Sequence, residues 1–98
     1  MGTWNKTTSL WEVTANTDIL ATDAPGLTTA WVHKIVYVPT TKAHAITFQD
    51  SADATAFYLK AGGTDESPVH IDFGDKGRRI EGLKCSAISS GTAYVYMK

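Results

Sequence analysis

Apolar and polar positions alternate with period two along much of this chain, most clearly in its last third. Val69, Ile71 and Phe73 alternate with His70 and Asp72. Leu83, Cys85 and Ala87 alternate with Lys84 and Ser86, and Ala93, Val95 and Met97 alternate with Tyr94 and Tyr96. Turns rich in Gly, Ser and charge separate the three runs. Alternation interrupted in this way marks antiparallel strands with two unlike faces.

The earlier chain follows the same grammar. Residues 9–15 read as a strand with Trp11, Val13 and Ala15 on one face, and residues 18–22 as a short strand carrying Ile19 and Leu20. Pro25-Gly26 is a turn signal, because Pro presets φ and Gly accepts the positive φ that follows in a type II turn. Residues 30–39 form the most apolar run, with Trp31, Val32, Ile35, Val36, Tyr37 and Val38, so both of its faces need cover. Ile46 and Phe48 mark the next strand, and Phe57 and Leu59 the one after it. A loop at 62–67 precedes the closing segment, whose residues 74–82 read as a charged turn. No segment carries a helical period. About seven or eight short strands at this spacing predict an all-β fold, an antiparallel β-sandwich of jelly-roll type.

The chain has 98 residues, which predicts one domain over residues 1–98, with residues 1–8 as a flexible arm bearing Trp4. Net charge is −1, so no field gathers nucleic acid or an anionic membrane, and neither is expected as a partner. The basic cluster Lys76, Arg78 and Arg79 is flanked by Asp72, Asp75 and Glu81 and reads as a solvated turn. Cys85 is the sole cysteine, placed inside a strand, where such a residue acts as a small hydrophobe. The missing disulfide framework fits assembly in a reducing cytosol. Residues 1–6 run into polar sequence, so no secretory signal is expected.

Candidate chemistry is sparse. His33, His44 and His70 are far apart in sequence and lack the short paired spacing of metal ligands. Asp50/Asp53 and Asp72/Asp75 lack the closing Glu of a calcium loop and read as turn caps. No Gly-x-Ser-x-Gly elbow or phosphate-binding loop is present. The expectation is therefore no enzyme, no cofactor, and no catalytic or metal residues. Aromatic residues are the surplus. Both faces of the last strand and of strand 30–39 are substantially apolar, which leaves surface for something else to cover. Trp4, Trp31, Tyr37, Tyr94 and Tyr96 are the expected contact residues, since aromatic side chains dominate protein contacts and sugar stacking alike.

The run from Pro68 to Gly77, the step from Arg79 to Ile88 and the ending from Gly91 to Met97 resemble small structural proteins of tailed-phage virions. The segments 46–50 and 56–60 share the likeness, which covers residues 31–98. The resemblance implies a virion protein of the capsid decoration (cement) type, with collar or tail positions as alternatives. It would assemble in the host cytoplasm as a homo-oligomer, a trimer being favoured, and bind the major capsid protein or another virion protein. The rival expectation is a carbohydrate-binding β-sandwich module used in attachment, which stacks sugar on Tyr58 or a Trp and hydrogen-bonds it through nearby Asp side chains.

Overall fold

A computed structural model of the chain describes residues 2–15, 19–27, 29–42, 44–62, 67–74 and 76–97. Nine strands and one short helix occur among them. They are β1 (Thr3–Asn5), β2 (Leu10–Val13), α1 (Leu20–Asp23), β3 (Thr29–Val38), β4 (Ala45–Gln49), β5 (Thr55–Lys60), β6 (Val69–Asp72), β7 (Arg78–Glu81), β8 (Lys84–Ile88) and β9 (Thr92–Met97). The larger sheet has the order β1-β2-β9-β3-β6, with β7 continuing beside β3, and the smaller sheet is β5-β4-β8. Every ladder is antiparallel.

The pairing is nested. β2 pairs with β9, Ile19 bridges to Lys84 of β8, β3 pairs with β6, and β4 pairs with β5. Outermost elements thus pair with each other, and so on inward to the hairpin at the centre of the chain. Two further ladders, β9 to β3 and β8 to β4, wrap this long hairpin into two layers. That is a jelly roll, the form of sandwich the alternation predicts.

The core lies between the layers. Trp11, Val13, Val32, Ile35, Tyr37, Ala93 and Val95 of the larger sheet face Ile46, Phe48, Phe57, Leu59 and Cys85 of the smaller. Aromatic rings cross the gap in a chain, Trp11 to Phe48 at 6.2 Å, Phe48 to Phe57 at 6.4 Å and Phe57 to Phe73 at 5.2 Å. Tilted and edge contacts at these separations suit the ring quadrupoles. β9 sits inside the sheet between β2 and β3, so its apolar run leaves no open edge.

The structure corrects several expectations. Residues 3–5 are not a free arm: they form β1, pair with β2, and place Trp4 against the core. The second expected strand is a single helical turn, α1, entered from Ile19. Its last residue, Asp23, accepts the Trp11 indole N–H at 2.7 Å, while Leu20 is buried. One turn is too short to show a period, and the partner that holds it lies twelve residues back. Arg78 and Arg79 lie in a strand rather than a turn. Only Ile80 of β7 faces the core, so four residues show no alternation to read. Ala87 is exposed although Leu83 and Cys85 are buried, because the β4–β8 register shifts between Thr47 and Phe48. The Pro25-Gly26 turn is present, with Gly26 at φ 92° and the Leu27 N–H donating to Ala24 at 2.9 Å. Residues 16–18, where the sequence turns from its first expected strand into the second, loop residues 63–66 and Asp75 lie outside the described residues.

Gly91 marks the tightest approach in the fold. It adopts φ 82°, and a Cβ there would stand 2.1 Å from the Val38 carbonyl oxygen. A left-handed backbone alone costs an L side chain roughly 1–2 kcal/mol. Adding the collision, Gly91→Ala should lose at least ~2 kcal/mol in urea unfolding; a loss below that range would mean that the β8–β9 turn can open without disturbing β3.

Candidate functional site

The five expected contact residues separate into three places. Tyr37 is fully buried, and its hydroxyl donates to the Ser90 carbonyl at 2.6 Å. It closes the core under the β8–β9 turn, so the expectation of a contact surface there is corrected. A Tyr in an apolar strand reads as surface only when its residue parity is unknown. The bulge between Val32 and Lys34 resets that parity in β3 and sends Ile35 and Tyr37 inward.

Tyr94 and Tyr96 lie on the outer face of the larger sheet. Register places Glu12, Tyr94, Val36 and His70 in one cross-strand row, and Leu10, Tyr96, Lys34 and Asp72 in the next. Tyr96 is 38% exposed and Val38, on the same face, 37%. Tyr94 is half-buried by its neighbours. This face therefore mixes aromatic and aliphatic surface with charges of both signs.

Trp4 and Trp31 come together. They line one open concavity of about 660 Å³, within the ~300–1,000 Å³ usual for small-ligand sites. It sits at the end of the sandwich where β9 finishes, β3 begins and the β1–β2 hairpin turns. Met97, Ala30, Leu27 and Pro25 give it apolar walls, and Lys6, Ser9 and Thr29 give it polar groups. Trp31 is 47% exposed, the highest value among the tryptophans, whereas Trp11 is fully buried. Sequence reasoning marked both indoles for contact but did not join them, because they meet only through the nested pairing. It missed Lys6 and Ser9 entirely.

The hairpin turn that carries Lys6 and Ser9 is locally held. The Asn5 side-chain oxygen accepts the Thr7 and Thr8 N–H groups at 3.0 and 3.2 Å, which closes the loop behind Lys6. Ser9 adopts φ 53°, and its carbonyl accepts the Met97 N–H at 2.9 Å. A non-glycine residue held in the left-handed region costs energy, so its neighbours must over-determine it, and such residues cluster at binding sites. The strain here lies at the pocket wall.

Other candidates go elsewhere. Tyr58 is 54% exposed but projects from the smaller sheet, away from the pocket. No Asp lines the pocket among the described residues, so the expected Asp contacts to sugar are absent there. Asp50 and Asp72 accept local backbone N–H groups, and Asp53 pairs with Lys84. The histidines are dispersed: His33 donates from Nδ1 to the Gly74 carbonyl at 3.2 Å, His44 meets Ser90 Oγ at 2.8 Å, and His70 is exposed on β6. Among the described residues no three His, Cys, Asp or Glu side chains converge as a metal site would, and no helix is long and apolar enough to cross a membrane.

The class that fold and site define is a jelly-roll domain with an aromatic end pocket. No family model and no curated protein matches the chain. Among solved structures it is similar to a fucose-binding module of Streptococcus pneumoniae, SpX-3, at TM-score 0.44 and 20% identity over 92% of this chain. The match spans 64% of that module's chain, just under two thirds of its length. Similarity at that level bears on neither ligand nor role.

Position in the fold separates Tyr37 from Trp31 experimentally. Tyr37→Phe removes the donor to the part-buried Ser90 carbonyl and should cost about 1–2 kcal/mol of stability. Trp31→Ala, at a half-exposed position, should cost less. Equal losses in chemical denaturation would place Trp31 in the core.

Proposed function

We propose that this chain is a non-catalytic glycan-binding domain whose ligand seats between Trp4 and Trp31. The observation that carries the reading is that Trp4 and Trp31 line one concavity together with apolar residues and the polar Lys6, Ser9 and Thr29. A pyranose ring presents a face of C–H groups and a rim of hydroxyls. The first packs on an indole, and the second hydrogen-bonds to groups such as Ser9 Oγ, Thr29 Oγ1 and Lys6 Nζ. Net charge of −1 disfavours a nucleic-acid ligand for the same stacking surface. Both indoles and Met97 are set on strands, which limits the ordering needed on binding.

A second reading rests on a different observation. The outer face of the larger sheet exposes Tyr96 and Val38 beside Tyr94 and Val36, a surface suited to protein contact. On that surface rests the reading of a structural virion protein, of the capsid decoration type, that assembles as a homo-oligomer on the major capsid protein. A stable contact of this kind buries ~1,600 Å².

The two readings are tested separately. On a glycan array the protein should bind a restricted set of sugars, and Trp4→Ala or Trp31→Ala should abolish the signal while the fold is retained. An array without hits would remove the glycan reading. The assembly reading expects an oligomer by light scattering and affinity for capsids lacking the protein. Replacing Tyr94 and Tyr96 together by Ser should then weaken assembly more than folding. A strict monomer with no capsid affinity would remove it.

A further inference from the structure

We infer that the pocket selects acidic sugars, those carrying a carboxylate, with Lys6 as the residue that recognises the charge. The inference rests on the glycan reading and adds the ligand's chemical class. Among the described residues that line the pocket, Lys6 is the one charged side chain, and no carboxylate faces it. The charged residues next to the lining have partners of their own. Arg79 and Glu81, which stand opposite Trp31 and Thr29 in the β3–β7 ladder, form an ion pair with each other at 2.9 Å. Asp23, next in sequence to the pocket's Ala24, accepts the Trp11 indole N–H at 2.7 Å. Neither this ion pair nor Asp23 lines the pocket, so Lys6 is the one charge among the described residues of its lining.

The turn around Lys6 strengthens the argument. Asn5 closes the loop behind it, and the left-handed Ser9 ties the far side of the loop to Met97 of β9. The backbone that presents Lys6 is anchored at both ends, although its side chain is exposed. A lysine offers a point charge with three donors, which suits a carboxylate on a flexible ring substituent. A neutral sugar would meet the same indoles without using the ammonium as a charge.

The test compares sugars that differ only at one carbon, glucuronic acid against glucose and galacturonic acid against galactose. Their affinities are read by indole fluorescence and by calorimetry on the full chain. The acidic member of each pair should bind about tenfold more tightly at low salt, a typical yield for one charge-assisted hydrogen bond. The preference should shrink as salt is raised, because the charge is exposed. Lys6→Gln should bring the acidic-to-neutral ratio close to one, and Lys6→Arg should restore it. Equal affinities, or a preference that survives Lys6→Gln, would overturn the inference and leave the glycan reading standing. Binding of no sugar, acidic or neutral, here and across the array would overturn both.

Discussion

The fold depends on one line of aromatic contacts, Trp11 to Phe48 to Phe57 to Phe73, that runs from the larger sheet into the smaller and back. Two sheets held only by strand hydrogen bonds would have no reason to stack, since those bonds lie within each layer. Burial of these rings with their aliphatic neighbours supplies the attraction between layers. Trp11 does a second thing. Its N–H would be a buried donor without a partner, at a cost of about 1–3 kcal/mol. Asp23 accepts it, and the helical turn that carries Asp23 is thereby held against β2. The next residues, Ala24 to Leu27, are then in place to wall the pocket.

β3 links this core to the surface. It is the one strand with three partners among the described residues, β9, β6 and β7, and a bulge at His33 divides it. Before the bulge, Trp31 points outward and Ala30 and Val32 inward. After it, Ile35 and Tyr37 point inward and Val36 and Val38 outward. Along one edge the ten-residue strand pairs with β7 before the bulge and β6 after it, while Trp31 faces the pocket and Tyr37 seals the opposite end of the core. His33, the extra residue, is held by the loop after β6, through Phe73 N–H to its carbonyl and its ring to Gly74.

The two surfaces discussed as sites follow from these constraints and differ in kind. The pocket is walled by the β1–β2 hairpin and the turn after α1 together with the start of β3 and the end of β9. The outer face is open because the jelly roll covers each sheet on one side only. Trp4 and Trp31 belong to the first, Tyr94 and Tyr96 to the second, and Tyr37 to neither.

Much of this was legible in the chain before any coordinates. Period-two alternation and one continuous apolar run located seven of the strands. Alternation set Trp11 with Val13, Ile46 with Phe48, Phe57 with Leu59 and Val95 with Ala93 and Met97 on shared faces, and the Pro25-Gly26 and Ser89–Gly91 turns were readable, because side-chain parity and turn chemistry are local properties. What the sequence left open was non-local. Whether Tyr37 faces in or out depends on a bulge that only cross-strand register creates. The helical turn is tied to β2 by the Trp11–Asp23 hydrogen bond, and β7 is a strand through its pairing with the first half of β3, both contacts between residues distant in the chain. Trp4 and Trp31 become one site through the nesting of the first ladder on the last. Periodicity records which face a residue shares with its near neighbours; tertiary structure alone decides which distant face it meets.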